Sequence, residues 1–362
     1  MYKIDAKLVL FFELHDLIIG KFILIFLWLI GLRLIDGCWC CLMPECQRLI
    51  DNKNLKVYTD ISDFKDVKNP VLTTGTFDGV HFGHQKIIDR LKSVAAKKNG
   101  ESVLLTFHPH PRMVLFPNDE GLKLLSTREE KIKQLEDAGL DHLIIYPFSR
   151  KFSRLSATEY VRDLLVNEIG VHTLVIGYDH QFGRNREGNF EHLKELADIY
   201  DFQLEEISAQ ELDDVKISST KIRNALFKGD VKRAAKYLGN YYKVSGIVVK
   251  GRQLGRNIGF PTANISVLDR YKLIPGNGVY AVKVKVNKMQ YQGMLNIGFR
   301  PTVGGLFKPT MEVNIFDFND DIYGNFIGVE FVKRLRDEVK FDSVDELKSQ
   351  LVLDKIQALN AF

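Results

Sequence analysis

Gly75-Thr76-Phe77-Asp78-Gly79-Val80-His81-Phe82-Gly83-His84 decides how the first large part of this chain is read. Ahead of it, Val71 to Phe77 is an apolar, β-branched run that predicts a strand. Behind it, His84 to Lys98 carries Ile87, Ile88, Leu91, Val94 and Ala95 at helical spacing. A strand, a glycine-rich turn and a helix N-terminus follow one another, and free backbone N–H groups with the helix dipole make such a place an anion site. Gly79 and Gly83 allow close backbone approach, and His81 and His84, three positions apart, can both face a bound phosphate. That pair suits transfer at an α-phosphate, where charge builds on non-bridging oxygens and no covalent intermediate is required. The alternatives are a zinc pair or two surface histidines, but no third metal ligand lies nearby in sequence.

Working outward, strand-like and helical stretches alternate to about Leu238. Strands are expected at Ser102 to Phe107, His142 to Tyr146, Thr173 to Ile176 and Gln203 to Ile207. Helices are expected at Lys131 to Ala138, Thr158 to Val166 and Phe190 to Tyr200, with Ser219 to Leu238 broken in two at Gly229. This βαβα order implies a parallel sheet covered on both faces, which binds ligands beyond the carboxyl ends of its strands. After Gly239 the texture changes. Short strand-like runs at Tyr242 to Lys250, Val279 to Val286, Gln292 to Ile297, Met311 to Phe316 and Phe326 to Leu335 are separated by turn residues. One amphipathic helix, Val344 to Gln357, follows with Asp342 or Ser343 as its cap. The expectation is an α/β domain followed by a small antiparallel barrel with a C-terminal helix, the boundary near Asn240.

Two further segments carry chemistry. Ile217 to Arg223 opens a helix with the hydroxyls of Ser218, Ser219 and Thr220 and the cations of Lys221 and Arg223, a second phosphate clamp if it is more than a helix cap. Lys250 to Asn264 is rich in glycine (Gly251, Gly255, Gly259) and carries Arg252 and Arg256. It is not a P-loop, but its backbone and guanidinium groups permit contacts to a triphosphate. Thr262 and Asn264, two apart, offer hard oxygen ligands on one side of an extended segment, which suits Mg²⁺. The competing reading is a flexible hairpin loop with an ordinary Pro-Thr turn.

Gly75 to His84 together with Ile217 to Arg223 resembles the His-x-Gly-His nucleotidylyltransferase superfamily. Thr106-Phe107-His108-Pro109-His110-Pro111 and Gly177-Tyr178-Asp179-His180-Gln181-Phe182-Gly183-Arg184 are similar to the adenylyltransferase half of the bacterial bifunctional riboflavin kinase/FAD synthetase family, which implies a Rossmann-like domain. The resemblance implies that His81 and His84 are catalytic. It also implies that Gly75, Phe77, Asp78, Gly79, Gly83, His108, Pro109, Asp179, Ser218, Ser219, Thr220 and Arg223 line the ATP and FMN sites. The chain departs from the family at His180 and Gln181, where an aromatic residue and an arginine are usual, and at Phe82. Tyr242 to Ala358, with Asn296 to Thr302 and Glu312 to Phe318, resembles riboflavin kinase. This implies that Glu312 is the catalytic base, that Thr262 and Asn264 hold Mg²⁺, and that Gly251, Gly255, Arg256, Gly259, Pro261 and Asn296 bind substrates. Here the departures are Asn314, in place of His, and Arg300, in place of Asn. Together the two halves imply phosphorylation of riboflavin to FMN and adenylylation of FMN to FAD, with ATP as co-substrate of both. The rival readings are a kinase whose α/β domain adenylylates another acceptor, and a membrane-tethered flavin-binding protein.

Composition bounds the rest. The 362 residues are 45% apolar and 27% charged, as in globular proteins, and a net charge of +4 gives no support to a nucleic-acid partner. Four cysteines are too few for a disulfide scaffold, and all of them, with both tryptophans, fall within the first 46 residues. Phe22 to Leu32 is an uninterrupted apolar run, short of the about 20 residues of a membrane span unless Lys21 and Arg33 lie at its ends. Residues 1–54 therefore read in three ways: a membrane anchor, a short apolar helix packed on the body, or translated upstream sequence with the true start near Leu55. The expected division is 1–54, 55–240 for the adenylyltransferase and 241–362 for the kinase. The body is expected in the cytoplasm, and a membrane partner only if the extension is native.

Overall fold

The computed structural model describes residues 54–119, 121–177, 180–208, 217–251, 254–301 and 307–362. The readings made on residues 1–53 and on Asp179 lie outside them. Six parallel strands form the first sheet: β1 (Lys56–Tyr58), β2 (Val71–Thr74), β3 (Ser102–His108), β4 (His142–Pro147), β5 (Thr173–Gly177) and β6 (Gln203–Ile207), in the order β1-β4-β3-β2-β5-β6. Every residue of β2 is buried, as both faces of a central parallel strand require. One face packs under Ile88, Leu91 and Val94 of α1 (Phe82–Lys97) and the other under Tyr160, Val161 and Leu165. The chain steps to one side of β2 to make β3 and β4, then crosses to the other for β5. The switch point therefore lies at the carboxyl ends of β2 and β5, where the quoted turn begins.

Two local boundaries differ from expectation. β2 ends at Thr74 and not at Phe77, because Phe77 (φ 45°) and Val80 (φ 36°) leave extended geometry. The helix starts at Phe82, two residues ahead of His84, because the side chain of His81 itself caps it, accepting from the His84 N–H at 3.4 Å. Two more helices concern the site, α2 (Pro111–Leu115) and α3 (Arg128–Asp137), which opens with a Thr127/Glu130 capping box, while α4 (Phe190–Tyr200) covers the sheet. α5 (Ser219–Phe227) and α6 (Val231–Leu238) follow the sheet.

The second half is a closed antiparallel barrel of β7 (Tyr242–Val249), β8 (Ala263–Ser266), β9 (Gly278–Val286), β10 (Met289–Pro301), β11 (Phe307–Ile315) and β12 (Phe326–Arg336), in the order β10-β11-β8-β7-β12-β9. Alternation along each strand sends Val244, Val282, Leu295, Val313 and Val329 inward. The strand β8 was not foreseen as a separate element; it closes the barrel between β7 and β11. α7 (Val344–Leu359), capped by Ser343, packs on the outside over Met294, Phe316 and Val332, and Arg336 grips its buried Asp354 through two bonds of 2.8 and 2.7 Å. Ile222, Leu226, Val231 and Leu238 of α5 and α6 share the barrel's hydrophobic core, as does Leu125, so the halves are joined by continuous apolar packing. Among the described residues no helix is long and apolar enough to cross a membrane.

Candidate functional site

The first site is built on the turn after β2. Gly75 donates to Leu105 O at 3.0 Å, locking the turn to the neighbouring strand. Gly79 has φ 83°, and a Cβ there would lie 2.8 Å from Leu125, so both conformation and space call for glycine. Phe77, buried, stacks on His84 with ring centroids 4.6 Å apart, and His84 stacks on His81 at 3.7 Å. His81 accepts the His84 N–H on Nδ1, which leaves its Nε2 to carry the proton and donate. His84 Nδ1 is buried and has no hydrogen-bond partner among the described residues. Burial lowers the pKa of His81 to about 4, against the nearby Asp78 carboxylate. Burial first, then His81 and Lys131, hold His84 well below the ordinary histidine value. Both rings are thus neutral N–H donors at pH 7.

Asp78 is only 2% exposed and does not face open solvent. Its carboxylate accepts from Leu125 N and Ser126 N and pairs with Arg223 Nη2 at 2.6 Å. Arg223 also donates from Nε to Lys123 O at 2.8 Å, so two of its donors are taken by the frame of the site. The two N-termini meet here. Ser219 Oγ donates to Asp78 O at 3.1 Å, a Cβ on Gly83 would lie 3.8 Å from Ile217 O, and Ser218 caps α5 with Thr220 exposed beside it. His108 ends β3 and Pro109 follows it, and the pKa of the next imidazole, His110, is lowered by burial to about 4.

Sequence reasoning missed Lys131. It is half-buried, donates to Thr76 O at 2.7 Å, and acts electrostatically on His84, His108 and His110. A lone lysine in an amphipathic helix carries no local mark; only the packing of α3 on the turn brings it in. Gly79, Thr106, His108, His110 and Lys131 line a cavity of about 1530 Å³, whose opposite wall includes Tyr241, Lys243, Leu268 and Asp269 of the barrel half.

The second site lies on the outer face of the barrel. In the β-ladders Glu312 stands directly opposite Asn264 on one side and Asn296 on the other. Their neighbours Met311, Val313, Ile265, Leu295 and Ile297 all point into the core, so Asn296, Glu312 and Asn264 form one polar row facing outward. The glycine-rich loop folds back on this row. A Cβ on Gly251 would lie 2.1 Å from Asn264 Nδ2, and one on Gly255 2.3 Å from Phe260 O and 3.4 Å from Thr262 Oγ1. Gly259 has φ 86° with open space around it, and Arg256 is exposed. Asn314, where the resemblance led us to expect His, is buried and donates to Pro261 O at 2.7 Å, fixing the segment that leads through Thr262 into the strand of Asn264. Thr262, Asn264 and Glu312 together present hard oxygen donors, while no group of three His, Cys, Asp or Glu among the described residues forms a closed metal cage. That set fits a magnesium ion that takes few protein ligands and the rest from water and nucleotide.

Known proteins match both halves. The model for FAD synthetase matches residues 63–221 and that for riboflavin kinase residues 238–362. The chain is 40% identical over 299 residues to the bifunctional riboflavin kinase/FMN adenylyltransferase of Bacillus subtilis, covering 81% of this chain and 92% of the relative. It is 38% identical over 293 residues to the protein of the same description from Escherichia coli K12, with 81% and 92% covered. A solved structure from Streptococcus pneumoniae, described as a macrolide-efflux protein, superposes with a TM-score of 0.77 at 35% identity, covering 84% of this chain and 99% of its own.

Proposed function

This chain belongs to the bifunctional riboflavin kinase/FMN adenylyltransferase family, and from that premise we propose which of its residues perform each reaction. It phosphorylates riboflavin to FMN and adenylylates FMN to FAD, using ATP in both steps. The working division assigns residues 55–240 to adenylylation and 241–362 to phosphorylation. The enzyme meets its substrates in the cytoplasm.

The observation that carries the kinase assignment is the row Asn296–Glu312–Asn264 beside the glycine-rich loop. The 5′-hydroxyl of riboflavin is too weak an acid to attack phosphorus unaided, so Glu312 accepts its proton as the bond to the γ-phosphorus forms and ADP leaves. Thr262 and Asn264 hold Mg²⁺, which when bound neutralises charge on the transferring phosphates. Gly251, Gly255 and Gly259 let the loop backbone approach the triphosphate, Arg256 reaches it from the exposed side, and Pro261 stiffens the link to β8.

At the other site a phosphate oxygen of FMN attacks the α-phosphorus of ATP and pyrophosphate leaves. His81 through Nε2–H and His84 donate to oxygens of the α-phosphate, and Lys131 adds the positive charge that two neutral imidazoles lack. Ser218, Ser219 and Thr220 offer a second helix N-terminus to the phosphates. Gly75, Phe77, Gly79 and Gly83 shape the turn, while Asp78 and Arg223 brace it. The cavity beside His108 has room for a flavin nucleotide, and Pro109 is assigned with it to substrate binding. On the family resemblance, Asp179 is assigned as an acceptor for a ribose or flavin donor. A magnesium titration tests the metal assignment. Asn264→Ala is expected to need a higher Mg²⁺ concentration for FMN formation, with FAD formation from added FMN unchanged. An unaltered Mg²⁺ dependence would remove Asn264 from the metal site.

A further inference from the structure

Lys272 belongs to the barrel half, on the segment between β8 and β9, yet its ammonium is buried against the other half. Its side chain is 2% exposed, donates to Leu125 O at 2.6 Å and to Glu130 Oε2 at 2.5 Å, and lies 4.5 Å from the centre of the Tyr242 ring. The backbone on either side is tied to the same place: Leu124 N donates to Tyr271 O at 2.7 Å and Leu273 N to Leu124 O at 2.8 Å. Burying an ammonium is costly unless it is paired and hydrogen-bonded, and an apolar side chain would join two halves at lower cost. A lysine here does something an apolar residue cannot: it fixes a carbonyl and a carboxylate in direction.

What it fixes is the frame of the adenylyl site. The strap from Lys123 to Ser126 holds Arg223 through Lys123 O, Asp78 through Leu125 N and Ser126 N, and the Gly79 N–H through Ser126 Oγ at 3.0 Å. Asp78 and Gly79 form the turn that presents His81. Glu130, the other partner of Lys272, also accepts from Thr127 N at 3.0 Å, closing the first turn of α3 and setting the position of its neighbour Lys131. One ammonium therefore grips both the strap behind the histidine turn and the helix that brings Lys131 to the site. We propose that Lys272, contributed by the kinase half, is a positioning residue for adenylyl transfer, so that the adenylyl site is complete only with the barrel docked. This rests on the reading of His81 and His84 as the adenylyl site.

The test uses the full chain with Lys272→Met, close in length and without charge. Its kcat for FAD formation from FMN should fall about ten- to hundredfold, the scale set by an ångström of misplacement, while KM for ATP moves by less than about threefold and riboflavin phosphorylation stays within about twofold. Glu130→Gln keeps an acceptor and should show the same kcat loss in smaller measure. The double variant should be slower than Lys272→Met by less than the Glu130→Gln loss alone would add, since the two side chains share one contact. A wild-type kcat for FAD formation in Lys272→Met overturns the proposal. If Lys272→Met loses both activities or its cooperative unfolding, Glu130→Gln decides, and an unchanged kcat there overturns it equally. His84→Ala is run beside them: persistence of FAD formation in that variant would condemn the site reading itself, whereas its loss with Lys272→Met unaffected condemns only the role of Lys272.

Discussion

Replacing Glu312 by Gln removes a proton acceptor while keeping the length of the side chain and one of its oxygens. Glu312 lies on the outer face of β11, half-buried, and its inward neighbours Met311 and Val313 carry the packing of that strand. Glutamine has the same length and keeps an oxygen in the polar row with Asn264 and Asn296, so the barrel should unfold at nearly the same temperature. The chemistry should not survive as well. General base catalysis is worth about 10²–10⁴-fold, which at about 1.4 kcal/mol per decade raises the barrier by about 3–5 kcal/mol. The assay starts the enzyme either on riboflavin or on FMN, each with ATP and Mg²⁺, and separates the flavins. From riboflavin the variant should make almost no FMN and hence no FAD. From added FMN it should make FAD at the rate of the unaltered enzyme, because the other reaction uses the helix N-terminus at His81 and His84 in the other domain. Kinase turnover within tenfold of the unaltered enzyme would refute Glu312 as the base. A parallel loss of FAD formation from FMN would refute the separation of the two sites.

Three further outcomes are expected. His84→Ala, and to a similar or lesser degree His81→Ala, should accumulate FMN from riboflavin and lose about 10²–10³-fold in kcat for FAD formation, as for removal of a single oxyanion donor; normal FAD yields from both would exclude them from the reaction. Because burial pulls the His81 pKa down to about 4 and lowers that of His84 as well, the imidazoles stay neutral as pH falls through 6.5. kcat/KM for FAD formation should therefore hold as pH falls through 6.5 and fail only toward about pH 4, with a midpoint near the ordinary histidine value contradicting their burial, whereas the stability linked to these rings should decline across the whole interval from about 6.5 to about 4, where the unfolded chain takes up protons and the folded one does not. A chain shortened to begin at Lys56 should remain in solution and keep both activities, since both sites are built from residues beyond it; aggregation or loss of FAD formation would make the first 55 residues part of the working fold.

The sequence by itself determined the local frame of both sites. Strand, glycine turn and helix around His81, the alternation of apolar residues in the barrel strands, and the glycine spacing before Thr262 are short-range signals, and each is written in consecutive residues. Even there, the side chain of His81 moved the helix start, because a capping bond depends on a rotamer that the pattern does not encode. What only the tertiary structure decided are the pairings between distant residues. Asp78 meets Arg223 across 145 positions, a pairing neither residue's neighbours in sequence announce. Lys272 meets Glu130 across 142 positions, and neither carries any local mark of that contact. Glu312 faces Asn264 because the register of β11 on β8 puts them side by side, and Lys131 reaches the histidines because α3 packs behind their turn. Register and helix packing are settled by burial summed over whole elements, so a single residue's sequence neighbours hold no record of its partner in space.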